Sequence, residues 1–144
     1  MKLPACQNKL IEEVIKVQPN TVVVLHNGSP VEVPWQIKQS AILGNVSWRS
    51  GVGEATDKLL YGEVNPSGRL AETFPLRLED NPSYLNFPGD GVNVDYAEGI
   101  YVGYRYYDAR KMPVRWAFGH GLSYTEYEYS NLNMPAEVWM IRVV

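Results

Sequence analysis

The chain has 144 residues, of which 45% are hydrophobic and 20% charged, with 13 Lys and Arg against 16 Asp and Glu. This composition is that of a globular protein rather than a disordered one, and a net charge of −3 offers no basic surface for nucleic acid. The longest apolar run, residues 22–25, is far shorter than the ~18–20 residues of a membrane helix. The single Cys6 excludes an internal disulfide and any metal site built from several cysteines. The length is that of one ordinary domain.

Helices and short strands are predicted to alternate through the first part of the chain. Apolar residues at helical spacing over residues 9–17 predict a helix, which Pro19 terminates. The β-branched run at residues 21–25 predicts a strand buried on both faces, as in a parallel sheet under helices. A second strand is predicted at residues 41–43 and a second helix at residues 51–62. This alternation indicates an α/β layered domain.

The second part of the chain has a different pattern. A strand is predicted at residues 69–74. The stretch 75–95 is rich in Pro, Asn, Asp and Gly, which predicts a long ordered loop of the kind that is usually functional or wraps a neighbour. Residues 100–107 fit a strand and a helix equally well, so periodicity leaves both open. Aromatic and polar residues alternate at 122–129, which predicts an edge strand.

Several sequence motifs follow one another along the chain in a single register. They are QNKLI at 7–11, NTVVVL at 20–25, NPSGRL at 65–70, VGYRYYD at 102–108 and FGHGLSY at 118–124. Through these motifs, residues 3–132 resemble the C-terminal half of the family 3 glycoside hydrolases, a family that includes many bacterial β-glucosidases. Independent motifs in one register are together far more specific than any one of them.

The resemblance implies an α/β fold in two parts. Residues 3–116 would form an incomplete layered α/β/α sandwich, and residues 117–132 the first strand of a fibronectin type III-like β-sandwich. Two stretches depart from the family. Residues 45–50 stand where the family usually carries Gly-Gly or Pro-Gly followed by Gln. Residues 133–144 no longer resemble the family, which predicts a truncated or frame-shifted reading.

The resemblance also implies a function. The whole enzyme would hydrolyse terminal β-linked glucose from oligosaccharides or β-glucosides without a cofactor, using two carboxyl groups about 5–5.5 Å apart. In the family the nucleophilic Asp lies in an N-terminal barrel domain, and the acid/base Glu of related β-glucosidases precedes the segment that begins here at Leu3. No residue of this chain matches either position. We therefore expect a fragment that is inactive alone and whose partner is the missing barrel domain.

Only weak candidates for substrate contact remain in the chain, and none is predicted to be catalytic. Glu98, in a predicted turn, is the best remaining substrate-facing acid, and Trp48 is an aromatic ring in an otherwise polar loop that could stack on a sugar. Glu54 is better explained as a helix-start residue, because a negative charge there meets the helix dipole favourably. Asp95 and Asp108 are expected to be solvated loop or turn residues.

Metal and nucleotide sites are not predicted. His26 and His120 lie far apart, with no Cys or carboxylate at ligand spacing, so each is interpreted as a structural histidine. The glycines at residues 51–53 open a predicted helix but lack the third glycine of the dinucleotide-binding pattern.

A non-catalytic module that binds carbohydrate or a partner protein is the alternative function. It is suggested by the missing catalytic pair beside an aromatic-rich surface, although most rings, including those at residues 101–107, are expected to divide between the core and a domain interface. A flavodoxin-like domain shares the layer pattern but not the motifs, and ranks last. The N-terminus does not resemble a secretory signal, which favours a cytoplasmic location.

Overall fold

A computed structural model of the chain describes residues 1–35, 41–45 and 50–133. The elements are α1 (Ala5–Val17), β1 (Val22–His26), β2 (Ala41–Asn45), α2 (Val52–Leu60), β3 (Phe74–Pro75), a 3-10 helix (Leu78–Asp80), α3 (Tyr104–Arg110) and β4 (Val114–Trp116). The predicted helix–strand alternation of the first part is confirmed, and the fold is of the α/β class. In these described ranges, no helix is both long and apolar enough to cross a membrane.

The first part of the fold is built on a parallel pair of strands. β1 and β2 run side by side, with Val23 opposite Ile42. Among β1 residues only Leu25 is buried, so the prediction of a strand buried on both faces is wrong for most of its length. The physical reason is that β1 pairs with β2 alone within the described chain, and a two-stranded sheet covers little of its own surface.

A small core lies beside this strand pair. Its centre is Trp35, which is only 3% exposed and whose Nε1 donates a hydrogen bond to Asn8 Oδ1 at 2.9 Å. Leu25 and Val33 complete the buried cluster. Partly buried apolar side chains surround it, namely Leu3, Ile11, Val23, Val31, Ile42 and Trp116. Trp35 therefore holds α1 against the strands and is not available to stack on a sugar.

Both long helices keep an apolar face open. No residue of α1 or α2 is buried, although each helix is amphipathic. Ile11 packs against the core, but Leu10 and Val17 of the same helix are 63% and 83% exposed. Apolar side chains of a stable helix normally face another layer, so these faces are only partly covered within the described chain.

The second part of the fold is organised by a short antiparallel pair. β3 pairs with β4, and the rings of Phe74 and Trp116 meet edge to face with centroids 5.5 Å apart. The strand predicted at residues 69–74 is wrong except at its last residue, because the earlier residues have no continuous partner strand. β4 was not predicted, although the alternation of Val114 and Trp116 after a proline is its signal.

The ambiguity at residues 100–107 is resolved in favour of a helix that begins at Tyr104. Gly103 precedes it with φ 62° and ψ −131°, a backbone conformation that only glycine adopts readily. A single helix or strand therefore cannot run through the whole stretch. The predicted loop at residues 75–95 is confirmed, and it contains the 3-10 helix and a series of turns.

Two motif segments meet in what we call the crossing, formed by residues 65–70 and 118–125. The backbone N–H of Leu70 donates to the His120 carbonyl at 2.9 Å, and the N–H of Gly119 donates to the Leu70 carbonyl at 2.8 Å. Asn65 Oδ1 accepts bonds from Ser123 Oγ at 3.0 Å and from the Tyr124 N–H at 2.8 Å. These bonds fix one segment against the other.

Further bonds at the crossing come from side chains. Asn65 Nδ2 donates to Thr125 Oγ1 at 3.1 Å, and the Tyr124 hydroxyl donates to the Leu59 carbonyl at 2.7 Å. The edge strand predicted at residues 122–129 is not formed. Its backbone has no strand beside it among the described residues, so side-chain and turn bonds take the place of a ladder.

Gly121 gives a direct test of the crossing. A methyl group at this position would lie 2.6 Å from the Gly68 carbonyl oxygen and 2.6 Å from Arg69 Nη1, so Gly121→Ala must push the two segments apart. Overpacking of this kind costs ~1–3 kcal/mol, so we expect amide exchange at Leu70 and Gly119 to become about fivefold faster or more.

The matched control is Gly28→Ala, because a methyl group at position 28 meets no atom within 4 Å. Hydrogen exchange followed by mass spectrometry or NMR measures both variants. Equal exchange rates at the crossing in the two variants would contradict this account.

Candidate functional site

The concave feature of the described chain lies where a turn at residues 97–100 leads into α3. It is an open depression of about 380 Å³. Its lining consists of Ile100, Tyr101, Tyr104, Arg105 and Asp108. The volume falls in the range typical of small-molecule sites, which is roughly 300–1,000 Å³. The lining combines an apolar and aromatic surface with one guanidinium and one carboxylate, so its charged groups sum to zero.

The shape of the depression depends on contacts outside it. The Tyr104 ring stacks on Phe118, with centroids 4.8 Å apart and planes inclined by 21°. The Arg105 guanidinium lies 5.8 Å from the centroid of the Tyr104 ring. Because Phe118 adjoins the crossing, the crossing positions the aromatic wall of the depression.

The depression can bind a ligand, but its one carboxylate, Asp108, has no second carboxyl group in the lining to complete the pair that retaining hydrolysis needs. Arg105 offers only donors and Asp108 at neutral pH only acceptors, while the tyrosine hydroxyls offer both. Such a set suits an uncharged ligand with an apolar face and several hydroxyl groups. No Ser, Cys, Thr, Lys or His stands in the lining to act as nucleophile or base.

The structure describes Glu98 but not Trp48, the two residues that the sequence suggests as weak candidates for substrate contact. Glu98 lies at the edge of the depression, where its carbonyl accepts a hydrogen bond from the Tyr101 N–H at 3.0 Å, but it is not part of the lining. Its side chain is half-buried. Trp48 lies outside the described residues, so its interpretation as a sugar-stacking ring stays a prediction.

The other carboxylates named from the sequence have simple surroundings. Glu54 lies in the first turn of α2 and forms an exposed ion pair with Lys58 at 2.5 Å, in agreement with its interpretation as a helix-start residue. Asp95 is exposed in a loop, as predicted. Asp108 is also exposed but lies on α3 rather than in a loop or turn.

The sequence did not predict a polar cluster that involves Glu72, Arg77, Asp80 and Tyr107. Asp80 is only 8% exposed, and its Oδ1 accepts a hydrogen bond from Arg77 Nη2 at 2.8 Å. Burial raises the pKa of the Tyr107 hydroxyl to about 12, and the Asp80 charge adds to the rise. Partial loss of hydration raises the pKa of Glu72, whose charge also acts on Tyr107.

The sequence does not predict this cluster, because its members come from three separate segments of the chain. The spacing of Arg77 and Asp80 in a polar loop is the one local signal, since residues three apart can pair in a helical turn. Chemically, a buried tyrosine with a raised pKa keeps its proton at neutral pH. The cluster therefore stabilises the fold and does not supply a base.

The histidines and the single cysteine do not form a site. His26 ends β1 and His120 lies in the crossing, and both are exposed. Cys6 is exposed on α1. Within residues 1–35, 41–45 and 50–133, no three His, Cys, Asp or Glu side chains are grouped so that they could hold a metal ion.

The aromatic residues divide between core and surface, and their predicted place at a domain interface stays a prediction. Trp35 and Tyr107 are buried, and Trp116 is half-buried against Phe74. Tyr101 and Tyr104 are 49% and 40% exposed. The exposed pair lies in the lining of the depression, so this depression offers aromatic surface to a ligand.

The raised pKa of Tyr107 predicts a pH dependence of stability. The folded pKa of about 12 lies above the ordinary value of 10.0, so the native state holds this proton more tightly than the unfolded chain. The resulting stabilisation is present in full below pH 10.0 and is lost as the pH rises through about 12. Tyr107→Phe should remove it.

Urea unfolding of both proteins between about pH 9 and pH 11 measures this effect, since each fully linked proton changes the free energy of unfolding by ~1.4 kcal/mol per pH unit. We expect a shallower fall with pH in Tyr107→Phe, by a fraction of that slope. The control is Tyr129→Phe, because Tyr129 is 94% exposed. A common slope for all three proteins would contradict the assignment.

Comparison with known proteins identifies relatives. The family model described as "Glycosyl hydrolase family 3 C-terminal domain" matches residues 1–104. Thermostable beta-glucosidase B of Acetivibrio thermocellus is 54% identical over 134 residues, which cover 93% of this chain and 18% of the relative. The probable beta-glucosidase I of Emericella nidulans is 46% identical over 136 residues, which cover 93% of this chain and 16% of that protein.

Solved structures give the same answer for the fold. Beta-glucosidase 3B from Thermotoga neapolitana, in complex with glycerol, superposes with a TM-score of 0.82 at 39% identity, over 94% of this chain and 20% of that one. Beta-glucosidase from Kluyveromyces marxianus, in complex with glucose, gives a TM-score of 0.79 at 41% identity, over 88% of this chain and 15% of that one. The chain spans less than a fifth of the length of the two curated relatives.

Proposed function

The chain belongs to glycosyl hydrolase family 3, within the family's C-terminal domain, and we propose that it serves as that part of a β-glucosidase-type enzyme. The observation that carries this proposal is the 54% identity with thermostable beta-glucosidase B over 93% of this chain. The enzyme would release terminal β-linked glucose from oligosaccharides or other β-glucosides.

The catalytic carboxyl pair of this enzyme would come from outside this chain. Retaining hydrolysis needs a nucleophile and an acid/base about 5–5.5 Å apart. Three of the described carboxylates have local contacts that agree with the proposal. Glu54 pairs with Lys58, and Asp80 with Arg77. Asp90 accepts bonds from two backbone N–H groups of its own turn, which lowers its pKa. Each is engaged in holding the fold.

The two-part organisation is also proposed. Residues 3–116 would be the partial α/β sandwich, and residues 117–132 the start of a fibronectin type III-like domain, followed by the divergent residues 133–144. Support comes from Leu122, Tyr124 and Tyr129, which are 79%, 63% and 94% exposed and would gain cover from further strands. The crossing would then join the two domains.

An aryl-β-glucoside assay tests the function. A chimera in which this chain replaces the matching segment of thermostable beta-glucosidase B should hydrolyse the substrate, while the isolated chain should give no turnover. Glu98→Gln in the chimera should change kcat by less than about threefold, which corresponds to under 1 kcal/mol of barrier. Turnover by the isolated chain that Glu98→Gln abolishes, or a folded but inactive chimera, would overturn the proposal.

Non-catalytic carbohydrate binding is the second candidate function, and the depression favours it. Exposed Tyr101 offers a ring face, and Arg105 and Asp108 offer donors and acceptors for hydroxyl groups. Titration of the isolated chain with glucose and cellobiose, followed by NMR, would show saturable shifts at α3 that Tyr101→Ala abolishes. Absence of such shifts at millimolar sugar would remove this candidate.

A further inference from the structure

The loop between the 3-10 helix and α3 has an unusual charge pattern. Residues 78–104 contain five carboxylates and no Lys or Arg, whereas the whole chain has a net charge of only −3. Asp80 is buried and paired with Arg77, so four carboxylates remain toward solvent. These are Glu79, Asp90, Asp95 and Glu98.

The same loop exposes large apolar side chains along most of its length. Leu85 is 91% exposed, Val92 89% and Tyr96 87%. Phe87 and Ile100 are 70% and 74% exposed. We call residues 84–102 the apolar–acidic loop. Large apolar side chains this exposed, gathered in one loop and interspersed with carboxylates, favour an interaction site.

Specific bonds hold this loop in one conformation. Asp90 accepts hydrogen bonds from the N–H groups of Val92 at 2.9 Å and Asn93 at 2.7 Å. Gly89 has φ 85°, and a methyl group there would lie only 2.0 Å from the Asn93 carbonyl oxygen. The N–H of Phe87 bonds to the Ser83 carbonyl at 2.9 Å. The loop therefore presents its apolar side chains on an ordered backbone.

The chemistry of the loop selects the kind of partner. Anionic lipid headgroups and nucleic-acid phosphates are repelled by the three carboxylates of the loop and by Glu79 before it, because no Lys or Arg lies among them. A protein surface with an apolar centre and Lys or Arg at its rim complements the loop in both respects. Complementary charges would set the orientation, and the apolar side chains would supply the contact area.

We propose that the apolar–acidic loop is a docking surface. An apolar surface with Lys or Arg at its rim covers the loop, and that covering surface belongs to the remainder of a family 3 β-glucosidase. The identity of the occupant rests on the proposed function. It is supported by length, because the chain spans only 18% of thermostable beta-glucosidase B and most of such an enzyme is available to cover the loop.

Cysteine labelling tests this proposal in the chimera described above. The chimera and the isolated chain both carry Cys6→Ser, any other cysteine of the chimera is replaced by serine, and Leu85→Cys provides the reporter thiol. We expect maleimide labelling at position 85 to be about tenfold slower or more in the chimera than in the isolated chain, because a covered thiol reacts only when the contact opens.

Charge reversal tests the basic rim separately. The protection is measured as the labelling rate of the chimera divided by that of the isolated chain. Asp95→Lys combined with Glu98→Lys should raise this ratio by about threefold or more, because like charges at the interface would weaken the contact. Glu63→Lys is the matched control, since Glu63 is an exposed carboxylate outside the loop. Taking the ratio removes any direct effect of the new charges on the thiol.

The outcomes separate this proposal from the proposed function. Slow labelling in a chimera that does not hydrolyse the glucoside would support docking and overturn the function. Equal labelling in an active chimera would overturn docking and leave the function intact. If charge reversal leaves the protection of the thiol at position 85 unchanged, the proposal that the partner has a basic rim is wrong. Concentration-dependent protection in the isolated chain would assign the loop to a second copy instead and overturn the proposed occupant.

Discussion

The crossing of residues 65–70 by residues 118–125 is the contact on which the second part of the structure depends. Two backbone bonds at Leu70 hold the returning chain in place, and Asn65 binds the next few residues through its amide. Because these bonds fix the position of residues 118–125, β4 lies beside β3 and Phe118 packs against Tyr104. The turns of the segment are local, but their relative positions come from this one contact between residues far apart in sequence.

The crossing also explains why glycine stands at position 121. The requirement there is steric, since the Gly68 carbonyl and the Arg69 guanidinium fill the space that a side chain would occupy. Two of the five motifs that carry the family resemblance therefore meet at one point. A contact that joins two segments constrains both of them, and neither segment alone reveals it.

Elements with a local cause could be predicted from the sequence. The helix α1, the strands β1 and β2 and the helix α2 follow from apolar spacing and from Pro or Gly at their ends. The strands predicted at 69–74 and 122–129 could not form as predicted, because a strand is defined by its neighbour and the described chain supplies little of one. The position of Gly103, rather than periodicity, decided where α3 begins.

The candidate site was only partly predictable for the same reason. The sequence proposes Glu98 because it is an acid in a turn; the structure places it beside the depression but not in its lining, and its contact with a substrate stays a prediction. The cluster of Glu72, Asp80 and Tyr107 was missed because tertiary packing assembles it. Periodicity shows which residues face inward, but it does not show which inward residues meet.

The apolar–acidic loop and the depression share Ile100 and Tyr101, which are 74% and 49% exposed. A partner that covers Ile100 therefore also borders the depression, and it places Tyr101 and Arg105 at the edge of the new contact. Docking and independent sugar binding are then alternatives for the same surface. In an assembled enzyme, the position of the partner surface would determine whether the depression stays open to solvent or becomes part of the boundary between domains. The aromatic and charged groups of α3 fit either outcome, because an interface, like a ligand site, combines apolar contact with directed hydrogen bonds.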